Sequence, residues 1–241
     1  MPDLPPRRAA RTSGSRPILG RLTPAIKALL IAQTAIFAFF LVAIPLRPMM
    51  VAHLALSPGL FAGEYWKLAT SLFLHLDPGR FLYVALGIWW AGSDVERAQG
   101  TRRMLALFFG VGILANLAFA LVSRHLLGDV MPFGGASFAV EALFVAFGRI
   151  YGRAMVNLFG VFAVQARYIA IAFIGWDVVV ALAAVNWPEL GGIAAATLLG
   201  YVGAAPGALD GLWDTLKLRR LRRRYRVIEG GAGKPPKKYV N

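Results

Sequence analysis

The 241-residue sequence is 58% hydrophobic and only 16% charged, with a mean hydropathy of +0.60. A soluble domain carries roughly a quarter charged residues, so this surplus of apolar side chains calls for lipid rather than water around it. Cysteine is absent, which excludes disulfides and thiolate metal ligands. With His53, His75 and His125 as the full histidine complement, no metal or cofactor is expected. The net charge of +14 gathers at the two ends. Arg7, Arg8, Arg11, Arg16 and Arg21 lie in an N-terminal arm, and Lys217, Arg219, Arg220, Arg222, Arg223, Arg224, Arg226, Lys234, Lys237 and Lys238 in a C-terminal tail. Flanking so apolar a chain, they point to membrane topology and anionic lipid, not to nucleic acid.

A spanning helix needs about 20 apolar residues, because every backbone group must be satisfied inside it. The first such run is 24–46, opening on Pro24. It is too long for the core of a cleavable signal peptide, and no small-residue cleavage site follows it. A loop broken by Pro48, Pro58, Gly59 and Gly63 comes next, with Phe61, Tyr65 and Trp66 suited to a membrane interface. The second span, 80–92, is short unless the apolar stretch 68–76 dips into the membrane ahead of it. The polar segment 93–103 reads as a loop. The third span is 104–122, the fourth 134–148, the fifth 168–185 and the sixth 191–205.

Arg97, Arg102 and Arg103 follow the second span, and Arg149, Arg153 and Arg167 follow the fourth. With both basic ends they fall on one face, which the excess of Lys and Arg marks as cytoplasmic. The fold class is therefore an all-α polytopic bundle of six transmembrane helices. It divides into an arm (1–22), a membrane domain (23–209) and a tail (210–241). Gly192, Ala196 and Gly200 recur every four residues, a small-residue stripe for close packing. Together with the patch Gly134, Gly135, Ala136 and Ser137, it predicts a near approach of spans four and six. Gln33 and Asn116 are expected to bond between helices, and Asp177 to find a partner such as Asn116.

Four ordered blocks resemble the rhomboid family of intramembrane serine proteases. Tyr65-Trp66-Lys67-Leu68-Ala69-Thr70 with Phe73-Leu74-His75 resembles the segment leading into its span two. Val95-Glu96-Arg97 with Gly100, Arg102 and Arg103 resembles the loop that follows. Gly135-Ala136-Ser137 resembles the G-x-S opening span four, and Leu190-Gly191-Gly192 with Gly200 the glycine stripe of span six. The resemblance covers residues 22–209. It implies that Ser137 stands where the family has its nucleophile. A serine hydroxyl needs a positioned base to attack, and its oxyanion needs donors. At the positions where the family has a histidine on span six and a histidine and an asparagine on span two, this sequence has Glu189, Arg80 and Val84. Phe138 replaces the glycine after the serine, and Glu141 the tyrosine often found four residues on.

The resemblance thus implies a rhomboid-like pseudoprotease that binds or routes transmembrane client proteins from a bacterial inner membrane, with membrane lipids as further partners and both termini cytoplasmic. No organellar targeting segment is evident. Intramembrane charges are costly and usually paired, so Arg80 is expected to pair with Glu141 or Glu189 and close the catalytic pocket. Phe138 is expected to crowd it. The alternatives are an atypical intramembrane serine endopeptidase using Ser137, with Glu189, His75 or His125 as base, and a transporter or assembly subunit.

Overall fold

The computed structural model describes residues 22–158 and 162–205; the basic arm and tail lie outside them. Helix α1 (Pro24–Val42) begins with proline at its first position, where the missing N–H costs nothing. The Arg47 guanidinium closes its far end by donating to the Phe40 carbonyl at 2.8 Å and the Leu41 carbonyl at 2.7 Å, two of the orphan acceptors every helix end leaves. The loop expected after α1 is largely helical: α2 (Arg47–Leu54) and a tight turn at Pro58–Ala62. Their prolines sit in first turns, where they start helices instead of breaking them.

The stretch expected to dip into the bundle is α3 (Lys67–Thr70), continued by a tighter turn at Ser71–Phe73. Its backbone groups are satisfied from neighbouring segments. Gln33 Nε2 donates to the Leu72 carbonyl at 3.1 Å. Asn116 Nδ2 donates to the Leu68 carbonyl at 3.1 Å and to Ser71 Oγ at 3.0 Å. The Gly135 amide donates to the Ser71 carbonyl at 2.8 Å. Both amides therefore bond between helices as expected, but Asn116 serves this segment and not Asp177.

Helix α4 (Pro78–Gly87) is capped by Asp77, whose carboxylate accepts from the Arg80 amide at 2.7 Å. It runs through a widened turn at Ile88–Gly92 into α5 (Ser93–Gln99). Helix α6 (Thr101–Leu105) runs through a second widened turn at Ala106–Val111 into α7 (Gly112–Leu127). The segment 93–103 is thus not a loop but two abutting helix ends, broken at Gly100, whose φ of +85° suits glycine. Its polarity is satisfied locally. Arg97 pairs with Asp94 at 2.5 Å, and the buried Glu96 carboxylate accepts from Thr101 at 2.6 Å and from Thr23 before α1.

Helix α8 (Ser137–Tyr151) is the axis of the bundle: every side chain from Ser137 to Phe147 is buried, as a helix apolar all round requires. A hairpin of β1 (Met155–Leu158) and β2 (Phe162–Gln165) pairs Met155 with Gln165 and leads to α9 (Ala166–Ala183) and α10 (Trp187–Gly203). Helix α10 packs on α8 through its small-residue stripe. A Cβ on Gly192 would overlap the Phe138 ring, one on Gly200 would lie 2.9 Å from Ala142 Cα, and Ala196 is buried between them. The stripe works as expected, but against Phe138 and Ala142; Gly134 and Gly135 pack instead on the Leu74 carbonyl and on Arg80. Nor does Phe138 crowd this contact, because Gly192 vacates the space its ring fills.

Helix α1, the joined α6–α7 and α9 are each long and apolar enough to cross a membrane. Large apolar side chains such as Ile31, Leu121, Ile171 and Val179 face outward from them, as lipid allows.

Gly192→Leu should overpack the α8–α10 contact and cost about 1–3 kcal/mol, read as a lower thermal unfolding midpoint in detergent. Adding Phe138→Ala should recover part of the loss; an unchanged midpoint in the single variant would refute the close contact.

Candidate functional site

Ser137 occupies the first position of α8, 6% exposed, behind a loop in which Gly135 takes φ +113°. That conformation favours glycine, and an added Cβ would also lie 3.2 Å from Arg80 Cδ. Two first turns converge on the serine: that of α4, carrying Arg80, and that of α10, carrying Glu189. Arg80 Nη2 meets Glu189 Oε1 at 2.6 Å. Its Nη1 donates to Ser137 Oγ at 3.4 Å, and its Nε lies 3.9 Å from Asp77 Oδ2. The guanidinium also sits 4.8 Å from the centre of the Phe133 ring, a cation–π contact. The expected ion pair therefore forms with Glu189 and not with Glu141.

Glu189 is engaged at both oxygens. Asn186, the N-cap of α10, accepts from the Glu189 amide at 3.3 Å and donates from Nδ2 to Oε2 at 2.9 Å. Ser137 thus finds, among the described residues, a single hydrogen-bond partner, and that partner is a donor. A guanidinium accepts no proton. Val84, fully buried one turn beyond Arg80, offers no donor. His75 is fully buried between Phe37 and Phe81, ring centres 6.2 and 5.5 Å away. Burial pushes its imidazole down to about 4. His125 is exposed on the last turn of α7. The Phe138 ring stacks on Phe133 at 5.0 Å and packs against Gly192 of α10.

A second group lies beside this one. Glu141, one turn along α8 from the serine and 1% exposed, meets the Asp177 carboxyl of α9. The Tyr83 hydroxyl of α4 faces the same two acids. A cavity of about 270 Å³ joins the groups, lined by Asp77, Gly79, Arg80, Tyr83, Ser137, Trp176, Asp177, Val180 and Glu189. The sequence singled out Arg80, Ser137, Glu141, Asp177 and Glu189, and the structure gathers them. It missed Tyr83 and Phe133. Tyr83 carried a signal, since it follows Arg80 by three residues and so shares its helix face. Among the described residues no histidine or carboxylate cluster is arranged to hold a metal ion.

Arg80→Met leaves Glu189 without its cation and should cost about 1–3 kcal/mol, while Arg80→Met with Glu189→Leu should recover much of it; thermal unfolding of the purified variants checks both. His75 is held neutral in the fold and gains a proton on unfolding, so stability should fall as pH drops from about 6.5 towards about 4. His75→Phe should remove that part of the pH dependence, measured as the unfolding midpoint at pH 7 and pH 5.

The family model of the Rhomboid domain matches residues 62–206, enclosing α3 to α10 and every site residue described above. Curated relatives agree over shorter stretches. Rhomboid protease GluP of Bacillus subtilis (strain 168) is 32% identical over 32% of this chain and 14% of its own length. Rhomboid-like protease 2 of Toxoplasma gondii is 38% identical over 34% of this chain and 27% of its own. Putative rhomboid protease YdcA of Bacillus subtilis (strain 168) is 27% identical over 40% of this chain and 49% of its own. The matches span under half the length of each of these relatives. The family match covers more than half of this sequence and the chain carries long apolar helices: it is an integral membrane protein and belongs to the rhomboid family.

Proposed function

We propose that this chain binds or routes transmembrane segments of other membrane proteins without cleaving them. One observation carries the reading: the hydroxyl at the family's nucleophile position bonds to a guanidinium, and the carboxylate at the base position is saturated by Arg80 and Asn186. Base removal costs serine hydrolases several orders of magnitude in rate. In this reading six spans cross a bacterial plasma membrane: α1, α4–α5, α6–α7, α8, α9 and α10. Both basic ends stand on the cytoplasmic side with Arg102, Arg149 and Arg153, where they also meet anionic lipid. The cavity beside Ser137 then receives polar groups of a client helix.

A second reading draws on the relatives, which are named as proteases, and on Arg80, a donor able to stabilise an oxyanion at Ser137. A serine-directed fluorophosphonate probe in native membranes separates the two. The expected result is no labelling of the folded wild type beyond that of Ser137→Ala. Labelling lost only in the variant would establish an activated serine and overturn the first reading.

A further inference from the structure

The charges of the cavity do not balance from within. Arg80 is committed to Glu189, with its remaining donors towards Ser137 and Asp77. Among the described residues, no second cation reaches the acids deeper in. Among the described residues, Glu141 Oε2, Asp177 Oδ2 and the Tyr83 hydroxyl are shut from solvent and make no well-formed hydrogen bond, although the three groups lie against one another. Glu141 is itself 1% exposed. Its carboxyl meets that of Asp177, which lines the cavity. Unpaired ionisable groups at membrane depth are costly and call for a partner.

The three groups come from three helices, α8, α9 and α4: Asp177 and Tyr83 line the cavity, and Glu141 lies against Asp177 behind it. Two touching carboxyls that share one proton carry a single negative charge, and a lysine ammonium brings one positive charge and three donors, which matches that charge and the three buried oxygens. Asp77 and Gly79 line the cavity at the polar end, and its side towards α9 is apolar. Trp176 and Val180 of α9 line the same cavity and are 64% and 43% exposed on the outer face, so the cavity opens beside a surface built for lipid. A cation arriving from that side is carried on a hydrophobic segment.

Resting on the client-binding reading, we infer that the cavity between α4, α8 and α9 recognises a basic side chain, lysine above all, set within the transmembrane helix of the client. Glu141 and Asp177 supply the counter-charge, and Tyr83 the third contact. Arg80 and Glu189 form a neutral pair that leaves this charge unopposed. Trp176, whose ring face attracts cations, stands at the entrance.

The test uses the full chain in lipid nanodiscs and fluorescent single-span leucine–alanine peptides of about 20 apolar residues, identical except for lysine, methionine or glutamate at the centre. The lysine peptide should bind about ten-fold tighter than the methionine peptide, the scale of one charged hydrogen bond, and the glutamate peptide weakest. Glu141→Gln with Asp177→Asn should abolish the preference, so that the lysine peptide binds no tighter than the methionine peptide. Asp177→Asn alone, at a half-buried position, should weaken it and serves if the double variant does not fold. Equal, measurable binding of lysine and methionine peptides would overturn this inference and leave client binding standing. No binding of any peptide would overturn both.

Discussion

One guanidinium ties together the first turns of three helices. Arg80 on α4 reaches Glu189 on α10, Ser137 on α8 and the face of Phe133 before α8. Away from bulk water an ion pair is favourable only when its remaining hydrogen-bonding capacity is also met. Asn186 does this on the carboxylate side by bonding the second oxygen of Glu189 while capping α10. On the cation side, Asp77 caps α4 through the Arg80 amide and lies beside the same side chain. The caps that start α4 and α10 and the contact that joins them are therefore one polar system. The orientation of Ser137 follows from it.

Below this polar end, helix spacing is set by exchange of volume. Gly192 gives up the space that the Phe138 ring takes, and Gly200 lets α10 approach the backbone of α8 at Ala142. Such close contacts suit a membrane bundle, where packing rather than water exclusion draws helices together. The short α3 segment obeys the other membrane constraint, that buried carbonyls need donors. Gln33 and Asn116 supply them at Leu72 and Leu68.

The helical bundle was legible in the sequence because long apolar runs have few folded solutions. The grouping of Arg80, Ser137 and Glu189 was legible through ordered motifs spread along the chain. The segment 93–103 was misread as a loop because the polar ends of helices look like loops in composition; the pairing of Glu96 with Thr23 and Thr101 that makes them helical is partly long-range. Asn116 was assigned to Asp177 because spacing shows that both lie within helices but not which faces they share. Tyr83 went unnoticed because a tyrosine among apolar residues looks like packing until two carboxyls are placed beside it.

The polar system around Arg80 also bears on how such a site changes over generations. A histidine at position 189 would leave Arg80 with only its longer contact to Asp77, and a histidine at position 80 would leave Glu189 with only Asn186, so each single step towards the residues the resemblance implies loses the short ion pair. A glycine at 138 would leave a phenyl-sized hole opposite Gly192. A path to that constellation by one-at-a-time substitution is thus uphill at each step. A lineage that has acquired this arrangement is held in it by folding, independently of any selection on chemistry.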